Sequence, residues 1–480
     1  MKQRNRVAFF NILSTVVLKG SAFFTGMIFA RLLGGSGYGS LKLYNISVSI
    51  VAVLFSLQTQ TTLPNAKVEY SQAQQKGYQS AAMTLSVLSF GICTGIVLLF
   101  LKPVSALLDL RPALVLLVLF QAFGTFCTEF LNKKNVYEFR AGWNMILSLV
   151  MTLVPLALAI ILILQMPYET RYMGRVIANS LSYGLVGTGI CIAILLRGKT
   201  FYHKEYWKFC LILALPAVFH NLSDLILNQM DSLMLNALMN TAAVGYYGNA
   251  WNFANFLFIL FQALNNIWCA YFFEEMKTGE RESMLAKSRN FLEVFTILAC
   301  GFLLLAPEVY HVYAPKEFWV ATMLIPLFVS GYYVNFLCTF PVNFEYYHKK
   351  PKVVAAITIS SSLLNLVLNY VLIKAMGMAG AALATLVSHS LQLTLHHLYA
   401  SRLGKQDYPF PLKLWAAYPA AFCAVLAVVF LLPNAWFVRW PLGAVLGIFM
   451  LLRIKQRKVL IQFSAVGRIC PAALLVLAIP

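Results

Sequence analysis

Charged residues inside long apolar runs are the first candidates for chemistry in this sequence. Lys19 lies within the first run, Val7 to Ala30, and Arg31 follows it directly. At 1.5 Å per helical residue, Lys19 is about 18 Å from the start of that run, where a lysine in hydrocarbon costs a few kcal/mol. We expect Lys19 to face protein or water, as a point charge for a phosphate group, as the partner of a carboxylate or as a snorkelling side chain. Arg31 could guide an anionic group or anchor the run at the interface.

A second group of polar residues forms a stripe in a later apolar run. Asn221, Asp224, Asn228 and Asp231 are spaced by three, four and three residues, which places them within about 80° of one helix face. Such a stripe cannot face lipid cheaply, so it should line a wet passage or hold helices together by hydrogen bonds. Asp224, with Asn221 and Asn228 beside it, is the candidate for binding H⁺ or Na⁺. Pro216 precedes the stripe and could act as a hinge.

A third group consists of amide side chains in the next apolar run. Asn252, Asn255, Gln262 and Asn266 also share a narrow helix face. Amides both donate and accept hydrogen bonds, which suits the hydroxyl groups of sugars. We therefore assign them to substrate binding together with Lys19.

The composition places all these residues in a membrane protein. Of the 480 residues, 60% are apolar and 11% are charged, and the mean hydropathy is +0.73. Soluble proteins carry about 25% charged residues, so an ordinary soluble enzyme is excluded. The runs predict an all-α integral membrane protein of about fourteen transmembrane helices. Their predicted bounds are 7–31, 41–63, 80–101, 112–131, 142–165, 174–196, 208–236, 244–272, 289–306, 318–340, 353–373, 377–400, 413–432 and 435–452.

The predicted topology of these spans explains the net charge of +20. Segments on the side of the N-terminus carry about three times as many Lys and Arg residues as segments on the opposite side. Because cytoplasmic loops collect Lys and Arg, both termini are predicted to be cytoplasmic in a multi-pass membrane protein. Attraction to anionic membrane lipids or to an anionic substrate would add to this bias, and nucleic acid is not an expected partner.

Two pairs of similar segments predict an internal repeat. Gly37-Tyr38-Gly39 matches Tyr246-Tyr247-Gly248, and Gly174 to Asn179 matches Gly380 to Thr385. Together the pairs place a six-span unit twice, so two six-helix lobes would share one orientation, as in parallel-repeat transporters with a cleft between lobes. Chance similarity of small packing residues is the alternative. The predicted parts are an N-lobe (1–204), a C-lobe (205–403), and spans thirteen and fourteen with a basic tail (404–480).

Three segments carry a resemblance to a known family. They are Phe29-Ala-Arg-Leu-Leu-Gly-Gly-Ser-Gly-Tyr-Gly39, the set Leu215-Pro216, Asp231-Ser-Leu-Met-Leu235 and Val244-Gly-Tyr-Tyr-Gly-Asn-Ala250, and Gly377-Met-Ala-Gly-Ala-Ala-Leu-Ala-Thr385. In this order they resemble the polysaccharide and O-antigen flippases. That family belongs to the superfamily that also holds the lipid II flippases and the multidrug extruders. The resemblance covers spans one to twelve, and the last two spans are compatible with it.

The resemblance implies translocation of undecaprenyl-pyrophosphate-linked oligosaccharides of O-antigen, capsule or exopolysaccharide type. The protein would lie in the bacterial cytoplasmic membrane. It would work by alternating access coupled to Na⁺ or H⁺, with no other cofactor. A basic residue in the middle of span one, here Lys19, is also what the resemblance to lipid II flippases implies. A polysaccharide polymerase and glycosyltransferases are the expected protein partners.

The sequence supports two other functions less well than it supports a flippase. A cation-coupled multidrug extruder would favour acidic residues in the first lobe, but Glu129, like Glu293 in the second lobe, falls close to a predicted inner span end. A membrane glycosyltransferase or polymerase would need a larger domain outside the membrane than the short loops provide. The sequence has no nucleotide-binding G-x-x-x-x-G-K-[ST] motif, no G-x-S-x-G elbow and no Cys or His spacing typical of a metal site. A transporter rather than an enzyme is therefore expected.

Overall fold

A computed structural model describes residues 2–457 except 109, 139, 280, 405–407 and 411. Side chains are described from residue 23 to residue 452, apart from 107, 141, 227, 263, 267, 270, 412–415 and 451. This part of the chain consists of fifteen α-helices and three 3-10 helices, without a strand among the described residues. The predicted all-α fold is confirmed.

Contacts divide the described chain into two compact units. The first unit holds the residues up to Thr25 and those from Leu32 to Leu233. Its helices are α1 (Lys2–Phe55, apart from residues 26–31), α2 (Leu63–Glu69), α3 (Gln72–Leu99), α4 (Leu101–Leu107), α5 (Pro112–Tyr137), α6 (Ala141–Leu164), α7 (Arg171–Gly198) and most of α8 (Lys204–Leu238). Residues 205–233 thus group by contacts with the first unit, and the functional division at residue 204 stays a prediction.

The second unit holds residues 26–31 and the described residues from Met234 onward. Its helices are α9 (Thr241–Thr278), α10 (Arg281–Tyr313), α11 (Ile325–Tyr347), α12 (Pro351–Met376), α13 (Met378–Gly404), α14 (Leu412–Leu431) and α15 (Trp436–Arg457). The 3-10 helices among the described residues are Thr59–Thr62, Tyr168–Thr170 and Lys316–Leu324.

The helices match the predicted spans in number and order. Among the described residues, eleven helical segments are long and apolar enough to cross a membrane, and two shorter apolar helices, Ala416–Leu431 and Trp436–Met450, follow them. The single helix α1 contains the first predicted span and most of the second. Every predicted span therefore falls on helical structure, and the chain is a multi-pass membrane protein.

A kink separates the first two spans at the predicted place. The glycines of residues 34–39 predict a break, and α1 consists there of two helical stretches that meet at Gly34. Only Gly34 leaves the helical conformation, with φ 67° and ψ −179°, a backbone state that costs little without a Cβ atom. One such residue is enough to kink the helix, so the two spans follow each other without a loop.

The second span ends earlier than predicted. The apolar run suggests an end at residue 63, whereas α1 ends at Phe55, and Leu57 and Gln58 adopt left-handed φ values of 51° and 53°. The residues that follow are Gln and Thr, which form the 3-10 helix Thr59–Thr62 instead of a span. This turn brings several buried polar groups into the first unit.

Glycines allow α5 and α7 to pack with their backbones in contact. A Cβ atom on Gly187 would overlap the Cα atom of Gly124, and a Cβ atom on Gly124 would overlap the carbonyl of Tyr183. Small residues at a helix interface are a common means of association in membranes, because they permit close van der Waals packing. The pair Gly124 and Gly187 therefore sets the distance between the two helices.

The two glycine segments of the predicted internal repeat pack in a similar way. Gly174 near the start of α7 lies against the end of α6, where an added Cβ atom would come within 3.0 Å of the amide nitrogen of Ile163. Gly380 near the start of α13 lies in the same way against the end of α12, at the carbonyl of Leu372. The two similar segments thus perform the same packing function, once in each unit.

An ion pair joins α15 to α10 within the second unit. The guanidinium of Arg439, which is fully buried, donates to the Glu308 carboxylate and, at 2.8 Å, to the carbonyl of Pro433. The indole of Trp440 donates to the same carboxylate at 3.3 Å. A buried charge is tolerated only when it is paired and hydrogen-bonded, so this contact fixes α15 on α10.

Candidate functional site

Of the two basic residues of span one, only Arg31 has a side chain that the structure describes. Lys19 belongs to α1, but its side chain lies outside the described residues, so its role in binding stays a prediction. Arg31 is exposed and donates a hydrogen bond to the carbonyl of Val312 in the last turn of α10. Cations at a helix C-terminus satisfy carbonyls that have no partner in the helix and interact favourably with its dipole. The observed contact anchors Arg31 to the end of α10. Recognition of an anion by Arg31 stays a prediction.

The polar stripe of α8 makes three separate sets of contacts. Nδ2 of Asn221 donates to Oε1 of Gln58 at 2.8 Å, and Nδ2 of Asn228 donates to the carbonyl of Asp224 at 2.8 Å. Asp231 interacts electrostatically with Lys42 of α1. Asp224 is exposed, and its carboxylate has no side-chain partner in the described part of the chain. Of the two acids, Asp224 is therefore the one left accessible to an ion.

Pro216 lies inside α8, and the helix continues through it. A proline in a helix interior lacks the N–H that would bond to the carbonyl four residues earlier, here that of Ile212. The helix α8 therefore lacks one backbone hydrogen bond near Pro216, between its predicted cytoplasmic end and the polar stripe. This is compatible with a hinge, which stays a prediction.

A chain of amides connects the stripe to a carboxylate on another helix. Oε1 of Gln58 accepts from Asn221 and also from Nε2 of Gln60, at 3.1 Å. The same Nε2 of Gln60 lies 3.4 Å from Oε2 of Glu129 on α5. Glu129 is exposed, whereas Gln58 and Gln60 are buried. The chain thus links an accessible carboxylate to Asn221 through two buried glutamines.

Sequence reasoning missed this chain of amides for a local reason. Gln58 and Gln60 fall within the predicted second span, and only the left-handed turn at Leu57 and Gln58 directs both side chains into the first unit. The helix α5 continues to Tyr137, about 12 Å beyond Glu129 along its axis, and the position of Glu129 close to an inner span end stays a prediction. The signal that could have found the site is the run of polar residues 58–62 at the end of an apolar span.

The amides of α9 divide into partnered and accessible side chains. Nδ2 of Asn252 lies 3.3 Å from the hydroxyl of Tyr313. Asn255 and Gln262 are half-buried and Asn266 is exposed, and these three have no hydrogen-bond partner among the described side chains or backbone groups. An amide without a partner is costly in hydrocarbon, so these groups should face water or a polar ligand. The sequence predicted their common face correctly; their role in binding stays a prediction.

A fully buried pair of ionisable residues lies in the second unit. Nδ1 of His396 on α13 is 3.0 Å from Oε1 and 2.9 Å from Oε2 of Glu345 on α11, and neither side chain is exposed. Nε2 of His396 has no partner in the described residues. Sequence reasoning missed the pair because its members are 51 positions apart and neither belongs to a recognisable motif.

The described residues contain no group of three or more His, Cys, Asp or Glu side chains that could hold a metal ion. The polar groups found here are mainly amides, hydroxyls, single carboxylates and lysines. They can bind a sugar, an anion or a monovalent cation by hydrogen bonds and charge.

Comparison with known proteins agrees with this chemistry and fold. A curated relative, the probable low-salt glycan biosynthesis flippase Agl15 of Haloferax volcanii, is 20% identical over 420 residues, which are 84% of this chain and 85% of the relative. The solved structure of the lipid II flippase MurJ in an inward closed conformation superposes with a TM-score of 0.70 at 16% identity, covering 94% of this chain and 99% of that one.

A second solved structure has the same fold. It is an inward-facing multidrug resistance MATE family transporter of the MOP superfamily, with a TM-score of 0.60 at 15% identity, covering 81% of this chain and 95% of that one. The family profile described as "Polysaccharide biosynthesis protein" matches residues 6–268, more than half of the chain. The chain therefore belongs to the polysaccharide biosynthesis protein family.

Proposed function

We propose that this protein is a flippase that moves polyprenyl-pyrophosphate-linked oligosaccharides across the bacterial cytoplasmic membrane. The carrier lipid would be undecaprenyl pyrophosphate, and the cargo a repeat unit of O-antigen, capsule or exopolysaccharide. Both termini would be cytoplasmic, and the protein would act as a transporter between glycosyltransferases and a polysaccharide polymerase. Family membership and the similarity to a glycan flippase and a lipid II flippase support this substrate class.

The observation that carries the proposal is the set of accessible amides on α9. Asn255, Gln262 and Asn266 lie in a 38-residue helix that is apolar enough to span the membrane. Their donors and acceptors are uncharged, so they can exchange hydrogen bonds with water for hydrogen bonds with sugar hydroxyls at little net cost. Lys19 would bind the pyrophosphate as a point charge. Alternating access would follow from different affinities for this ligand in the inward and outward states.

Replacing two of these amides with leucine tests the proposal. In proteoliposomes, the wild-type protein should move a labelled undecaprenyl-pyrophosphate oligosaccharide to the opposite leaflet. The double variant N255L/Q262L should be about thirtyfold slower, because each of the two lost hydrogen bonds contributes about 1 kcal/mol. The same change at the exposed Gln165, Q165L, is the control and should leave the rate unchanged. Equal rates for the wild type and N255L/Q262L would contradict the proposal.

Ion coupling is assigned to the exposed carboxylate of Asp224. Asp224→Asn removes the charge and keeps the shape, so transport should lose its dependence on an imposed Na⁺ or H⁺ gradient. The measurement compares flipping in proteoliposomes with and without each gradient. We expect a stimulation in the wild type and almost none in the variant, while the rate without a gradient stays within about twofold. A variant stimulated as strongly as the wild type would assign Asp224 to packing.

A cation-coupled multidrug extruder is the second candidate, and Glu129 is the observation that favours it. This accessible carboxylate lies on α5 in the first unit, connected to Asn221 through Gln60 and Gln58. Such a group could bind a cationic drug or a coupling proton. Efflux of ethidium from cells or vesicles that depends on this protein, without transport of the lipid-linked glycan, would establish this alternative.

A further inference from the structure

A basic cavity opens at one end of the first unit, apart from the polar groups described above. Its volume is about 320 Å³. The side chains that define it are Lys76, Gln79, Lys134, Glu138, Arg140 and Arg197. They come from the first turns of α3, the last turn of α5, the connection after α5 and the last turn of α7. The cavity therefore lies where three spans leave the membrane.

The charges around this basic cavity do not balance. Glu138 is the only acid in the lining, and it is shared by two cations: its carboxylate lies 3.9 Å from Nζ of Lys134 and 3.2 Å from Nε of Arg140. Gln79 donates to the same carboxylate at 3.2 Å. Lys76 and Arg197 have no carboxylate partner among the described residues. Four cations against one anion leave three positive charges around one hollow.

The fold forces these like charges together. Gly198 allows α7 to end directly on α3, since a Cβ atom there would overlap the backbone of Lys76 and the side chain of Ser80. This contact places Arg197 beside Lys76. The charges of Arg197, Arg140 and Lys76 all repel that of Lys134, which is mostly buried. Repulsion between partly desolvated charges is unfavourable unless an anion occupies the space between them.

We propose that the basic cavity binds a phosphate or pyrophosphate group. Arginine offers a planar fork of donors that fits phosphate oxygens, and lysine contributes a point charge, so Arg197 and Lys76 are suited to hold the anion. The cavity lies at the ends of three predicted spans, and basic pockets between membrane helices at such positions bind phosphorylated lipids. The anion can reach it either as the head group of a lipid or as a soluble molecule.

The inference rests on the geometry of the cavity. It overlaps with the proposed function only because the flippase substrate would carry the same pyrophosphate group. Binding is therefore measured without transport. The full-length protein is placed in phosphatidylcholine nanodiscs, and inorganic pyrophosphate is titrated in one arm. In the other arm, the nanodiscs contain undecaprenyl pyrophosphate without sugar, and the bound lipid is counted by native mass spectrometry.

The variant K76A/R197A should lower the affinity for the probe by about tenfold or more, since two charge-assisted contacts are lost. The control K204A/K208A removes two exposed lysines at the start of α8, outside the cavity, and should change the affinity by less than about twofold. If both probes bind and both are lost in K76A/R197A, a soluble phosphate is a sufficient ligand. If only the lipid binds and is lost, the ligand is a membrane head group; both results support the site.

Two results would overturn the inference. One is the absence of wild-type binding in both arms. The other is an equal loss of affinity in K76A/R197A and K204A/K208A, which would mean that the cavity cations act only through the general positive charge of this face. The second result leaves the proposed transport function untouched, because the transported lipid would then bind elsewhere, whereas the first would also contradict pyrophosphate binding by Lys19. Failure of transport leaves the cavity untouched, because neither binding readout involves flipping.

Discussion

A leucine at position 187 should prevent the first unit from folding, whereas a leucine two residues later should be tolerated. Gly187 faces Gly124 so closely that even a single added carbon would overlap the Cα atom of Gly124. Gly187→Leu must therefore separate α5 from α7, at a cost of more than about 3 kcal/mol. Gly189→Leu adds the same side chain to the same helix, where nothing lies within 4 Å of the added carbon.

The measurement is the yield of monodisperse protein after detergent extraction, followed by its thermal unfolding midpoint. Gly187→Leu should give little folded protein, and Gly189→Leu should match the wild type or exceed it slightly, because leucine is the better helix former by up to about 1 kcal/mol. Similar behaviour of the two variants would show that α5 and α7 do not depend on the glycine contact.

Replacing His396 with leucine should strongly destabilise the second unit. The substitution leaves the Glu345 carboxylate fully buried without its partner, and removing one member of a buried pair costs about 3–5 kcal/mol. His220→Leu is the control, because His220 is an exposed histidine on α8. It should leave the unfolding midpoint in detergent nearly unchanged.

The double variant H396L/E345L distinguishes loss of the pair from loss of volume. Replacing both side chains also removes the unpaired buried carboxyl group, so the double variant should be more stable than H396L by about 2 kcal/mol or more. A double variant less stable than H396L would mean that the two side chains contribute independently through packing. The comparison uses unfolding midpoints of the four proteins in one detergent.

The all-α fold follows from the sequence because each span must satisfy its own backbone in hydrocarbon, which leaves a long apolar run few options other than a helix. The shared faces of polar residues are equally predictable, since the helical repeat alone places Asn221 beside Asp224. Gly174 and Gly380 could be matched from composition, and their packing is indeed alike.

The partners of these residues could not be predicted in the same way. The link from Asn221 to Glu129 depends on a left-handed turn at Gln58, and a positive φ at a residue other than glycine has little sequence signal. The contact between Glu345 and His396 depends on how α11 and α13 are rotated against each other, which hydropathy does not specify. From the sequence, the cations of the basic cavity cannot be distinguished from ordinary loop charges, because the contact between the end of α7 and α3 is not predicted.

The buried ion pair between Arg439 and Glu308 has a practical consequence for following motion in this protein. Because it fastens α15 to α10, a fluorescent reporter fused to the end of α15 would travel with the second unit as one body. Shortening the chain before Arg439 would have a different effect, since it would strip Glu308 of its counter-charge and leave one flank of α10 uncovered. Tagging at that end is therefore safer than trimming it.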